Sequence, residues 1–386
     1  MSTVFNVPST IIHGGGARKE VVEQVKRLGA SRVLLVTDTG VVQLGIAGQI
    51  SQLLEQNGLD VAIFDQVQPD PIDQNVLDGL AVLQEHHSEV IVSVGGGSSI
   101  DTAKVIGILH ANPQPMRQYM GYHKIPAPGL PLIAIPTTAG TGSEVTKAAV
   151  ITDAANDVKM MMLSPNLLPQ VALVDYELTM SMPQGLTAAV GVDTLTHAIE
   201  AFVSKKANAM TDPIALCCIR LVAQHLRAAW RDPDHAEARE GMMLAACQGG
   251  MAFSNSSVCL VHGMSRPIGA LFHLPHGLSN ATLLPTVTRY SIPGSIQRYA
   301  TVARAMGCAT GGQSAQAAAE ALVEGLEQLN VDLQVPRLGQ CRGVNEKSFK
   351  DGVQKMAHDA LASGSPQNNP RVPSDQEIVD LYHQAW

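Results

Sequence analysis

The sequence predicts an α/β N-terminal domain built on a parallel sheet, followed by an all-α C-terminal domain. Three observations lead there. Through the first half, short apolar runs rich in β-branched residues alternate with amphipathic helical patterns. After about residue 180, apolar residues recur at three- and four-residue spacing and strand-like alternation stops. Two loops of small residues leave the ends of apolar runs, where open α/β sheets bind ligands. The expected division is residues 1–180 and 181–386, with a site in the cleft between the two domains.

The expected strands are "RVLLVTD" (32–38), "VAIFDQ" (61–66), "VIVSVGG" (90–96), "LPLIAIP" (130–136) and "VALVD" (171–175). Helical patterns at 41–57 and 73–87 separate the earlier ones, which makes the sheet parallel and covers both its faces. The first of these runs ends in Asp38. A carboxylate there can grip a ribose 2′-hydroxyl and repel a 2′-phosphate, favouring NAD while leaving NADP use open. It can equally cap the next helix.

The third run enters "SVGGGSSIDTAKV" (93–105). Its glycines, Gly96 and Gly97 among them, allow a sharp turn and close backbone approach, and Ser98 and Ser99 stand where a helix begins, so that free helical N–H groups attract a phosphate. Asp101 is expected in the first helical turn, which favours a carboxylate. The stretch is not G-x-G-x-x-G, and a plain βα turn explains it equally well. "IPTTAGTGSEVT" (135–146) shifts the balance, because Thr137 and Thr138 can donate to a cofactor beside it.

In the second half, Pro213, Pro233, Pro267, Pro275 and Pro285 are expected to cut the chain into helices. "GVDTLTHAIEAF" sets Asp193 and His197 four residues apart, on one helical face. "VHGMSRPIGALFHLPHGLSNA" adds His262, His273 and His276 in an apolar context. Singly these are surface contacts or core histidines. Together they suit one divalent metal, Fe²⁺ or Zn²⁺. His86, His87 and His235 lie among polar residues and read as solvated.

Composition narrows the classes. The chain has 386 residues, 45% hydrophobic and 16% charged, so a sizeable core is expected. A net charge of −8 without a basic cluster gives nucleic acid no footprint. No run approaches the ~20 apolar residues of a membrane span, and the start lacks a signal-peptide pattern. None of the six cysteines forms a CxxC pair, so reduced buried thiols in the cytoplasm are expected.

"GGGSSIDTAK", "PTTAGTGSEVT", "GVDTLTHAIEAF" and "HGMSRPIGALFHLPHGLSNA" closely resemble, in order, the motifs of the iron-containing (group III) alcohol dehydrogenases. The resemblance runs from "VPSTIIHGGGA" to "VDLYHQAW". It implies a Rossmann-like sheet, NAD(P)-dependent interconversion of a small alcohol and its aldehyde or ketone, and a homodimer or larger homo-oligomer. It places the metal ligands on Asp193, His197, His262 and His276, and none on His273. The cofactor positions fall on Asp38, Gly97, Ser98, Thr137, Thr138, Thr146 and Lys159. Asp70, in "QPDP", stands where relatives carry Asn.

Two departures concern the substrate. Arg266 in "HGMSR" replaces a histidine, and Ala148 replaces a polar Asn. A permanent cation near the metal can clamp an acidic group on the substrate. Otherwise Arg266 pairs locally or faces the cofactor phosphates. His273 is a candidate proton relay or a packing residue. One alternative is an NAD- and metal-dependent lyase of the dehydroquinate-synthase type, which regenerates its cofactor. Another is a non-catalytic nucleotide sensor, which leaves the Asp–His quartet without a purpose.

Overall fold

A computed structural model describes residues 3–156 and 158–386 and divides into two compact units. One comprises Asn6–Met180, the other Ser181–Trp386 with the described residues before Asn6.

The first unit carries β1 (Thr10–His13), β2 (Arg32–Asp38), β3 (Asp60–Val67), β4 (Val90–Gly95), β5 (Gly121–Tyr122), β6 (Leu132–Pro136), β7 (Ala148–Asp153), β8 (Val158–Leu163) and β9 (Val171–Val174). Its helices are α1 (Val21–Arg27), α2 (Thr39–Gln43), α3 (Ile46–Gln56), α4 (Asp73–His86) and α5 (Gly97–Ala111). Six strands form one all-parallel sheet in the order β1-β9-β6-β4-β2-β3. Strand alternation explains why helices cover both faces. Leu34, Val36 and Ile91 pack into one core, while Val33, Leu35 and Val92 pack into another on the opposite side.

The five expected strands are all present, and three features differ from expectation. The helical pattern at 41–57 is two helices, because Gly45 takes a left-handed conformation (φ 75°) and ends α2 before α3 begins. Strand β1 adds an unforeseen edge. A small sheet of β5, β8 and β7, with β7 and β8 antiparallel, is built from strands on either side of "IPTTAGTGSEVT" in the chain.

The second unit is helical: α6 (Gln184–Val203), α7 (Thr211–Arg231), α8 (Ala236–Asn255), α9 (Leu260–Phe272), α10 (His276–Ser291), α11 (Ile296–Ala305), α12 (Ala315–Asp332), α13 (Glu346–Ala362) and α14 (Asp375–Ala385). Helix α6 is long and apolar enough to cross a membrane, yet 89% of its apolar window is buried in the protein, as in a core helix. Pro267 and Pro285 do not break the chain; they lie inside α9 and α10. Pro285 leaves the Ala281 carbonyl without its helical donor, and Asn330 Nδ2 supplies one at 2.8 Å. Pro213 sits in the first turn of α7, where its missing N–H costs nothing.

Candidate metal centre

In the first unit, the loops after β4 and β6 meet side by side, since these strands are neighbours. A Cβ on Gly95 would lie 2.6 Å from Ser99 Cβ, and one on Gly97 would lie 3.0 Å from Thr141. Only glycine permits this turn into α5. Gly96 is the N-cap without a side-chain partner, so the first N–H groups of α5 at Gly97 and Ser98 need a ligand or water. Thr137 donates its backbone N–H to Gly95 O, binding the two loops together. Thr138 stands beside Gly96, where a Cβ would be 3.5 Å away.

Asp38 both caps and connects. Its Oδ1 accepts from Val41 N–H at 3.0 Å, and its Oδ2 accepts from Ser99 Oγ at 3.1 Å. The carboxylate is therefore fixed at the end of β2, beside the glycine turn. Lys159 on β8 pairs with Asp70 at 2.7 Å, which brings two sequence candidates together.

Asp101 corrects the expectation. It lies beyond the first turn of α5 and does not face the helix N-terminus as a dipole partner. Its Oδ2 instead accepts from Val150 N–H at 3.0 Å, and Lys104 Nζ stands 3.5 Å from Oδ1. Lys104 also donates to Thr146 Oγ1 at 3.0 Å and to Ala148 O at 2.7 Å. Asp101 and Thr146 thus belong to a buried polar cluster joining α5 to β7. Burial pushes the Asp101 carboxyl up and the Lys104 ammonium down, and pushes the neighbouring Glu144 up to about 7.

In the second unit, α6 supplies Asp193 and, one turn later, His197, as the spacing predicted. His262 lies in the first turn of α9, and His276 opens α10. Gly277 explains how α10 reaches α6: a Cβ there would lie 2.6 Å from Ala189 O. The ligand atoms of Asp193, His262 and His276 lie within 4.8 Å of one another. His197 reaches this set through Asp193, with Nε2 3.8 Å from Oδ1. Its ring is sandwiched between Phe253 and His262, at centroid distances of 4.3 and 4.6 Å.

Asp193, His197 and His262 are buried, whereas the His276 side chain is 43% exposed. The cluster is closed on three sides and open at His276. Burial opposes the Asp193 carboxylate, but His197, His262 and His276 outweigh it and hold the group well below the usual carboxylate range. Burial also opposes a cation on His262. The carboxylates of Glu200 and Asp193 overcome it and raise the imidazole to about 9. Two buried carboxylates here draw positive charge inward.

Asn280, one turn after His276, shows what the site is suited to hold. Its Nδ2 lies 2.7 Å from Asp193 Oδ1 and 3.2 Å from Nε2 of both His262 and His276. Two amide hydrogens face three candidate acceptors, and the buried Asn280 Oδ1 has no hydrogen-bond partner. One carboxylate and imidazole nitrogens converging on an electropositive group are the donor set of a borderline divalent cation.

His273 and Arg266 lie outside this convergence. His273 is exposed and ends α9 in a left-handed conformation (φ 52°). Exposure removes the packing role considered for it. Arg266, one turn after His262, donates to Ser365 Oγ at 3.0 Å. Sequence reasoning missed Asn280 and Glu200, although both follow the helical period that picked out their neighbours.

Residues 8–176 match the family described as iron-containing alcohol dehydrogenase, and residues 187–386 match its Fe-containing C-terminal domain. The NAD-dependent methanol dehydrogenase of Bacillus methanolicus is 39% identical over 99% of this chain and 100% of its own length. The crystal structure of a 1,3-propanediol oxidoreductase superposes with a TM-score of 0.96, at 39% identity and covering all of both chains. A sulfoacetaldehyde reductase from Bifidobacterium kashiwanohense, solved with NAD⁺, superposes with a TM-score of 0.88 at 28% identity, covering 100% of this chain and 99% of that one. Matched along both units, the chain belongs to the iron-containing alcohol dehydrogenase family.

Proposed function

We propose that the protein is an NAD-dependent and divalent-metal-dependent alcohol dehydrogenase or aldehyde reductase. It transfers hydride between nicotinamide and a small alcohol or aldehyde. The observation that carries this reading is the convergence of Asp193, His262 and His276 on one point. Asp193, His197, His262 and His276 would hold Fe²⁺ or Zn²⁺, and such an ion supplies Lewis acidity toward the substrate oxygen.

The chain's own residues do the rest. The N–H groups of Gly97 and Ser98 receive the cofactor phosphates, Thr137 and Thr138 line the adjoining loop, and Asp38 takes a ribose hydroxyl. Lys159 adds positive charge held by Asp70. The exposed edge of the metal cluster, at His276, gives substrate its approach. No nucleophile on the protein is required.

Arg266 supports a narrower substrate class, an aldehyde bearing an acidic group. It lies one turn from His262, and one structural neighbour is named for sulfoacetaldehyde. A cytoplasmic homo-oligomer completes the reading, on the family resemblance and on six cysteines, none of which is in a disulfide.

The test is net nicotinamide reduction with a panel of small alcohols, on protein loaded with Fe²⁺ or Zn²⁺ and on protein stripped by chelation. Turnover should require metal, and Asp193→Ala should lower it about a thousandfold or more, the loss of several kcal/mol of Lewis-acid stabilisation. Full turnover after stripping would overturn the metal assignment. Cofactor that cycles without net reduction would favour the lyase.

A further inference from the structure

Glu200 lies on α6 seven residues after Asp193 and three after His197, so the three share one helical face. Its carboxylate is 3% exposed and receives three donors. Oε2 accepts from Cys259 N–H at 2.8 Å and lies 2.7 Å from His262 Nδ1; Oε1 accepts from Val261 N–H at 2.6 Å. Cys259 is the N-cap of α9, and Val261 and His262 lie in its first turn. The side chain of one helix thus caps the start of another and grips the imidazole next to that start.

We propose that Glu200 is the positioning residue of the metal centre, fixing the ring and tautomer of His262. The proposal rests on the metal reading above. A carboxylate only accepts, so the shared proton resides on Nδ1 and the Nε2 lone pair is left for the ion. That nitrogen already points at the cluster, 3.5 Å from Asp193 Oδ1. The same two oxygens satisfy N–H groups that α9 cannot satisfy itself, and their negative charge suits a helix N-terminus. The carboxylate that orients His262 is thus itself held in place by the start of α9.

Glutamine at this position keeps the volume and one acceptor, but its amide presents donors where His262 Nδ1 and Cys259 N–H also donate. Co²⁺ binding, measured by chelator competition and by visible absorption, tests the idea. Glu200→Gln should bind Co²⁺ about 10–100-fold more weakly, and its visible bands should shift as the His262 donor changes. Unchanged bands overturn the proposal even if affinity falls, because Glu200 would then only hold α9 in place. Affinity within about twofold of the parent overturns it too.

Should the glutamine variant not fold, Glu200→Asp, which keeps the charge but shortens its reach, is read in the same way. If neither folds with saturating Co²⁺, the residue is a helix-docking group and the proposal fails. A parent protein that binds no Co²⁺ refutes the metal reading itself, which is a separate result.

Discussion

Asn280 donates to Asp193 across two helices at 2.7 Å, with both residues buried. The same Nδ2 lies within 3.2 Å of Nε2 of His262 and of His276, among the candidate ligand atoms. Without metal, it gives the buried Asp193 carboxylate a hydrogen-bond donor. With metal, the ion takes over much of that work.

Asn280→Ala should therefore destabilise the metal-free protein by about 1–3 kcal/mol, the cost of leaving a buried acceptor short of a donor. The same substitution should cost less in the loaded protein. Denaturant unfolding with and without Zn²⁺ measures both. An equal loss in the two states would show that Asn280 does not compensate for the absent cation. Asn280→Asp should be worse than alanine in the metal-free form, since it sets a second carboxylate against Asp193.

The contact between α10 and α6 depends on Gly277. A Cβ there would meet Ala189 O at 2.6 Å and Ala189 C at 2.9 Å, both backbone atoms that cannot rotate away. Gly277→Ala should cost about 1–3 kcal/mol in unfolding measurements and carry His276 away from Asp193, weakening metal binding. Gly185→Ala is the control: nothing lies within 4 Å of its Cβ, and it lies at the exposed start of α6. It should be neutral or stabilising by up to about 1 kcal/mol, with metal affinity intact. Loss of metal binding in both variants would point to α6 as a whole and away from the contact.

Arg266 offers a test of the substrate class. If its guanidinium receives an acidic group, Arg266→Ala should lower kcat/KM for acidic aldehydes about tenfold or more and leave neutral aldehydes within about threefold. Arg266 also donates to Ser365 Oγ, so Ser365→Ala reports what loss of that anchor does alone. Equal losses on acidic and neutral substrates would mean that Arg266 only braces α9.

Much of this site was legible because helices repeat every 3.6 residues. Asp193 and His197 were visible as a pair since four residues make about one turn. Glu200 continues the same face, but the groups it serves lie 59 to 62 residues away, and no local pattern announces them. The sheet was legible from its β-branched runs. The hairpin of β7 and β8 was not, because "VKMMML" is rich in methionine, which carries little strand preference. Pro285 misled for the opposite reason. Its helix survives through a donor on Asn330, 45 positions further along the chain. Asp101 was misplaced because α5 starts at Gly97, leaving it past the turn where the helix dipole is felt.

The buried cluster of Asp101, Lys104 and Glu144 makes stability depend on pH. Burial raises Glu144 from 4.5 to about 7, against the opposing pull of its own backbone N–H and of Lys104. A carboxyl with a folded pKa above its unfolded one takes up a proton on folding. Its stabilising effect is complete below about pH 4.5 and is lost as pH rises through about 7. Glu144→Gln, which mimics the protonated form, should match the parent near pH 5 and exceed it above pH 8 by on the order of 2 kcal/mol. Lys104, whose pKa burial lowers, is present in both proteins, so its own titration largely cancels in the difference. Unfolding curves at both pH values decide the matter: a glutamine variant no more stable than the parent at pH 8 would show that Lys104 fully compensates a charged Glu144.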